Sequence, residues 1–176
     1  MARRAAMRSR TFSMKILRCL AVTAGISTFA VTMASAATVV ALGASNTYGK
    51  GVERNQAFPA QLEAMLRAKG VNVEVVNAGI NGDTTEGMLG RLDSAVPSGT
   101  KAVIFQPGGN DGRKNSADRS ADILSRLRAR SIPVIMVPNS AFRGLPHQMD
   151  GVHLTPEGYH MLAQSLVGRV MAATRR

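Results

Sequence analysis

The stretch TVVALGASNTYG, Thr38 to Gly49, passes from an apolar, β-branched run into a turn of small and polar residues. Thr38–Leu42 has the composition of a buried strand, and Gly43 lets the chain bend at its end without a Cβ clash. Ser45 stands on that turn, where a serine hydroxyl points out of the sheet. The order of apolar strand, small polar loop and helix then repeats along the chain.

Val71–Asn77 (VNVEVVN) reads as a second strand and runs into Ala78-Gly79-Ile80-Asn81-Gly82-Asp83-Thr84. Lys101–Gln106 (KAVIFQ) reads as a third, followed by Gly108-Gly109-Asn110-Asp111-Gly112, and Pro133–Val137 (PVIMV) as a fourth. Between them lie helical patterns. Ala57–Lys69 places Phe58, Leu62, Met65 and Leu66 on one face and stops at Gly70. Thr84–Val96 takes Asp83 or Thr84 as its cap and Pro97 as its end, although Gly87 and Gly90 weaken it. Ser116–Arg130 takes Ser116 as its cap, with Ile123, Leu124 and Leu127 in a stripe and Arg126, Arg128 and Arg130 near the negative end of its dipole. The last helix starts at Thr155-Pro156-Glu157 and runs through Met161, Leu162, Leu166 and Val170. Alternating strands and helices of this length predict a parallel sheet covered on both faces. Sites in such folds form in the loops beyond the carboxyl ends of the strands.

The first 36 residues read differently. Arg3, Arg4, Arg8, Arg10, Lys15 and Arg18 precede the run Cys19–Met33, which ends in Ala34-Ser35-Ala36. A basic region, a short apolar region and a small-x-small site predict a secretory leader cleaved near Ala36, with the domain at 37–176 and a periplasmic or secreted location. The run is shorter than the ~20 residues a membrane span requires, so an uncleaved anchor is the weaker reading. Met1 and Met14 are both possible starts. Arg18 spoils a lipobox before Cys19, and Arg3-Arg4 lies too far from the apolar run for a twin-arginine signal.

Whole-chain charge is +11, but with the six leader cations removed from 22 Lys and Arg, 16 face 11 acids, a net of +5. That ordinary balance removes the case for a nucleic-acid partner. Cys19 is the only cysteine and leaves with the leader, so neither disulfides nor thiol chemistry are expected in the domain.

Asp150-Gly151-Val152-His153 lies just before the last helix. An aspartate three residues before a histidine can hold Nδ1 while Nε2 faces a serine, fixing the tautomer and stabilising the imidazolium. A metal site would need further ligands. His147 and His160 are the only other histidines, so no metal is expected.

Ser45, Gly79, Gly108-Gly109-Asn110-Asp111 and Asp150–His153, in that order, resemble the blocks of the SGNH (GDSL-type) hydrolases, most closely the bacterial periplasmic thioesterase/lysophospholipase and arylesterase branch. The resemblance implies a flavodoxin-like three-layer α/β/α fold with four to five strands, and no cofactor. It further implies a serine esterase acting on small acyl or aryl esters, lysophospholipids or thioesters. Ser45 would be the nucleophile, His153 the base and Asp150 its orienting acid. The Ser45 and Gly79 N–H groups and the Asn110 amide would bind the oxyanion. Alternatives are a carbohydrate acetyl esterase, which the few aromatics disfavour, and a silent binding domain of the same fold. The chain departs from the family at Ala44, usually aspartate, and at Asn46, usually hydrophobic. Only Pro138–Met149 separates the fourth strand from Asp150, so a four-stranded sheet with a trimmed edge and a more open cleft is expected. Partners are a small-molecule or lipid ester; the oligomeric state is left open.

Overall fold

The computed structural model describes residues 35–175. The expected leader, with Cys19 and the alternative start at Met14, lies outside them save for Ser35 and Ala36. Four parallel strands, β1 (Ala37–Gly43), β2 (Val73–Gly79), β3 (Ala102–Gln106) and β4 (Val134–Met136), form one sheet in the order β2-β1-β3-β4. β1 and β3 are central, paired from Val39 with Ala102 to Gly43 with Gln106, and β1 meets β2 from Ala37 with Val73 to Gly43 with Gly79.

Side chains alternate across a strand, so each central strand feeds two cores. Val39, Ala41 and Ile104 face a layer made by α2 (Phe58–Ala68) and α7 (Pro156–Thr174), meeting Phe58, Leu62, Tyr159 and Leu166. Val40, Leu42, Val103 and Phe105 face α3 (Thr85–Gly90), α4 (Leu92–Ala95) and α6 (Ser120–Ala129), meeting Met88, Leu92, Ile123 and Leu127. The fold is three-layer α/β/α. Burying each of these large side chains contributes about 1.5–3 kcal/mol.

Several elements depart from their expected bounds. β2 begins two residues later than VNVEVVN suggested and extends to Gly79. The helix expected over Thr84–Val96 breaks at Arg91 into α3 and α4. There the Arg91 guanidinium turns back to pair with Asp83 at 2.8 Å and to donate to the Gly43 carbonyl. Thr84 is the cap, accepting from Gly87 N–H, and a Cβ at Gly87 would sit 2.2 Å from Asp83 Oδ1 and displace the carboxylate that pairs with Arg91. Ser116 caps nothing: its hydroxyl donates to Glu86, and α6 starts four residues later, after an Asp118 turn onto Ser120 N–H. The Ser120 side chain first, and that backbone N–H second, hold the Asp118 carboxyl below its ordinary value.

Two one-turn helices follow strands directly: α1 (Ser45–Tyr48) after β1 and α5 (Asn110–Lys114) after β3. Between β4 and Asp150 the chain forms a 3₁₀ turn, Asn139–Phe142, and a single bridge from His147 to Leu154. No further strand occurs among the described residues, so the sheet keeps four strands. Nor is any described helix long and apolar enough to cross a membrane.

Candidate active site

The site begins with how tightly β1 and β3 meet. A Cβ on Gly43 would lie 2.2 Å from Thr47 Oγ1 and 2.9 Å from the Gln106 carbonyl, so only glycine lets α1 start there. Gln106, at the end of β3, is 2% exposed. Its Oε1 accepts from Ala44 N–H and from the Thr47 hydroxyl, both at 3.2 Å, and so pins the turn that carries Ser45. Ala44 packs in the space between, 3.3 Å from where a Gly108 Cβ would be. Ser45 is the first residue of α1, where a backbone N–H has no helical acceptor.

Opposite this turn, the loop after the His147 bridge brings up the second half of the site. His153 Nε2 lies 2.9 Å from Ser45 Oγ, across a sequence separation of 108 residues. His153 Nδ1 lies 2.5 Å from Asp150 Oδ2. The other Asp150 oxygen accepts from the backbone N–H groups of Val152 and His153, each at 2.9 Å. These bonds, the one to the His153 ring first, hold the Asp150 carboxyl far below the usual carboxylate range although its side chain is 44% exposed. An ionised acid on Nδ1 makes Nδ1 the donor and leaves Nε2 as the acceptor for a hydroxyl proton.

Asn46 ties the two halves together. Its Nδ2 donates to the Val152 carbonyl at 3.1 Å, and its Oδ1 accepts from the buried Tyr159 hydroxyl at 3.0 Å. Burial pushes that hydroxyl well above the ordinary tyrosine value.

A cleft of about 220 Å³ opens over Ser45, floored by Ala44, Gln106 and Gly108 and walled by Asn110, Asn139 and Val152, among others. Asn110 Nδ2 donates one hydrogen to the Asp83 carbonyl at 2.8 Å, which aims the amide and leaves its second hydrogen free. Asp111 anchors the same short helix by accepting from Thr85 N–H and Oγ1, each at 2.8 Å.

Gly79 is not brought to the cleft. Ile80 N–H donates to Gly43, and alternate residues of a parallel ladder face the same neighbour, so Gly79 N–H points to the open edge of β2. There it donates to Asn77 Oδ1 at 3.0 Å. The glycine serves packing instead, since a Cβ would sit 2.2 Å from Tyr48 N. In the same loop Gly82 has φ +74°, and among the described residues its N–H has no acceptor. It adjoins the residue whose carbonyl holds Asn110, Asp83.

His147 also lines the cleft, with Nδ1 2.6 Å from the Leu145 carbonyl, whereas His160 lies on α7 against Gln61. Among the described residues no three His, Cys, Asp or Glu side chains form a group able to hold a metal ion.

Nothing in the sequence alone singles out Gln106, Tyr159 or Gly82 for a part in the site. Asn46 carries one signal, a polar residue where the family places a hydrophobic one.

Residues 41–150 match the model of the GDSL-like Lipase/Acylhydrolase family. Esterase TesA of Pseudomonas aeruginosa is 32% identical over 110 residues, 59% of this chain. The chain spans about half of that relative's length, 55%. Among solved structures, AlinE4, an SGNH-hydrolase family esterase, is 25% identical with a TM-score of 0.58, covering 81% of this chain and 98% of that one. A crystal structure of TesA superposes with a TM-score of 0.66 at 22% identity, covering 77% of this chain and 99% of that one. With more than half its length matched by the family model, and this fold beneath it, the chain belongs to the GDSL-like (SGNH) family of esterase-type hydrolases.

Proposed function

We propose that the chain is a secreted serine esterase that hydrolyses carboxylic esters through an acyl-enzyme on Ser45. The observation that carries this is the continuous hydrogen-bonded line from Ser45 Oγ through His153 to Asp150, at 2.9 and 2.5 Å. In the first step Ser45 Oγ attacks the ester carbonyl carbon while its proton passes to His153 Nε2. Asp150 stays ionised and stabilises the imidazolium. The Ser45 N–H, the free Asn110 amide hydrogen and the Gly82 N–H donate to the oxyanion, replacing the Gly79 donor expected from sequence. Such donors act only as charge develops, and removing one typically lowers kcat about 10²–10³-fold. Collapse expels the alcohol, which takes the proton from Nε2. A water then repeats the cycle and frees the acid. Every proton is accounted for by Ser45, His153 and water, so the mechanism calls for no cofactor.

Small acyl and aryl esters fit a cleft of this size; lysophospholipid and thioester substrates share the same chemistry. The basic, apolar and small-x-small segments over residues 1–36 support export, with cleavage near Ala36. N-terminal sequencing of the protein recovered from the periplasm tests that part.

The chemical test uses p-nitrophenyl acetate and butyrate with a fluorophosphonate probe. The wild type is expected to hydrolyse both esters and to label on Ser45, and Ser45→Ala to do neither. Retained hydrolysis in Ser45→Ala removes the nucleophile assignment. A folded wild type that neither labels nor hydrolyses would instead be a silent binding domain.

A further inference from the structure

The Gln106 side-chain amide has one end fully used and one end idle. Because Oε1 accepts from Ala44 N–H, turning the amide over would set its NH2 against a backbone donor that cannot accept, whereas the Thr47 hydroxyl can bond either end. Nε2 is therefore fixed on the opposite side, about 3.4 Å from where a Gly108 Cβ would stand, on the floor of the cleft. No residue accepts from it, yet no buried side-chain nitrogen or oxygen among the described residues lacks both a partner and solvent. With the residue only 2% exposed, what little of the amide meets solvent does so in the cleft.

A preorganised amide donor on the floor of a small pocket costs about 1–3 kcal/mol when covered by something that cannot accept from it. An alkyl chain is such a cover, and an oxygen is not. The direction of the bound ester follows from the chemistry. Its leaving oxygen must face His153 Nε2 to receive the proton, so its acyl group lies toward the end of β3. There Gln106 and Gly108 floor the cleft, with Asn139 fixed beside them by its bond to the Gly108 carbonyl.

We infer that Gln106 is a specificity-determining residue whose Nε2 donates to an oxygen in the substrate's acyl group, so that the enzyme prefers short oxygenated acyl groups to plain alkyl ones. This rests on the ester-hydrolase reading of the same site and adds the class of acyl group.

The test compares p-nitrophenyl methoxyacetate with p-nitrophenyl butyrate, esters of equal chain length in which an ether oxygen replaces one methylene. Each kcat/KM is divided by that ester's hydroxide rate constant, which removes the intrinsic difference in reactivity. Taking the ratio on a single preparation also cancels differences in folded fraction. The wild type is expected to favour the methoxyacetate by roughly two- to tenfold, the range a net hydrogen bond supports. Gln106→Glu keeps the Oε1 acceptor but presents a carboxylate oxygen to the ether, and should bring the ratio to one or below. Gln106→Met lacks the donor without adding charge and should also lose the preference. A wild-type ratio of one overturns the inference whatever the variants do, as does an undiminished preference in either variant. If both esters are hydrolysed at a ratio of one, the Gln106 assignment falls alone. If neither is hydrolysed and Ser45 does not label, the ester-hydrolase reading falls with it.

Discussion

Removing one oxygen from Tyr159 should affect both stability and turnover, by amounts that follow from its surroundings. The ring is wholly buried against the α7 side of the sheet and stays there in Tyr159→Phe, so no cavity forms beyond the hydroxyl itself. What is lost is the 3.0 Å bond to Asn46 Oδ1. A neutral hydrogen bond contributes about 0.5–1.5 kcal/mol, and an acceptor left buried without a donor costs about 1–3 kcal/mol. Asn46 is 8% exposed and borders the cleft, so water partly replaces the hydroxyl. A loss of roughly 1–2 kcal/mol, or about 3–6 °C in Tm for a domain of this size, is expected. Asn46 also holds the Val152 carbonyl, one residue before His153, so a looser Asn46 loosens His153. A small misplacement of a reacting group lowers the rate steeply, and kcat on p-nitrophenyl acetate should fall about three- to tenfold with little change in KM.

An alkaline signature separates this from simple loss of packing. The folded Tyr159 hydroxyl is raised by burial above its unfolded value. Its stabilisation is therefore complete below about pH 10 and lost as pH rises through the folded value. The stability gap between wild type and Tyr159→Phe should narrow above pH 10. Differential scanning calorimetry from pH 7 to 11, with steady-state kinetics, makes the check. A Tm within 1 °C of wild type together with an unchanged kcat refutes the tether.

Asp150→Asn places an amide against His153 Nδ1. If its N–H faces the ring, Nδ1 becomes an acceptor and Nε2 carries the proton, so kcat/KM should fall by roughly 10²–10⁴; a loss under tenfold removes Asp150 from the mechanism. The same variant reports stability. The folded Asp150 carboxyl is depressed by the His153 ring bond and two backbone N–H groups, so its contribution is present above the unfolded value of about 3.9 and lost as pH falls through the lower folded one. Urea midpoints of wild type and Asp150→Asn should differ at pH 6 and converge below pH 4, and a constant gap contradicts the linkage. Gly79→Ala drives a Cβ into the Tyr48 backbone at 2.2 Å, where no flexible side chain can yield. Overpacking of this kind costs about 1–3 kcal/mol, and because the obstructed turn carries Ser45, esterase activity should fall as well. A variant as stable and active as wild type removes the packing role given to Gly79.

How far the sequence could be read depended on the range of each interaction. Strand faces are set by alternation, so Val39 and Ala41 against Val40 and Leu42 were separable once β1 was recognised. Ser45, Asn110, Asp150 and His153 were legible because a parallel sheet gathers its loops at one end. The single turns α1 and α5 were not, since four or five residues carry too little periodicity to announce a helix. The break at Arg91 depended on Asp83 and Gly43, which sequence proximity does not reveal. The Gly79 N–H turns away from the cleft for a related reason. Which N–H of a strand end faces the site is decided by ladder register, and a shift of one residue turns it to the opposite edge.

The two departures from the family pattern prove to be of different kinds. Ala44 fills a confined place beneath Ser45: it is buried between the ends of β1 and β3, beside the would-be Cβ of Gly108, and its N–H is held by Gln106. A carboxylate in that buried space would lose its hydration, so a small neutral side chain suits it. Asn46 compensates for what the chain lacks. With only Pro138–Met149 leading into Asp150, no additional helix or strand braces the loop that carries His153, and Asp150 itself stands half in solvent. The bond from Asn46 to the Val152 carbonyl braces it from the turn that carries Ser45, beside the Gln148 bond to Lys50, and Tyr159 fixes Asn46 from α7. The prediction peculiar to this chain is that its acid–base loop depends on Asn46. Asn46→Leu, which restores the hydrophobic residue usual in the family, should lower kcat more than Tyr159→Phe, because it severs both ends of the brace rather than one. If Asn46→Leu keeps wild-type kcat, the loop is held by the Asp150 turn, the His147–Leu154 bridge and the Gln148 bonds to His153, Leu154 and Lys50, and the brace has no catalytic consequence.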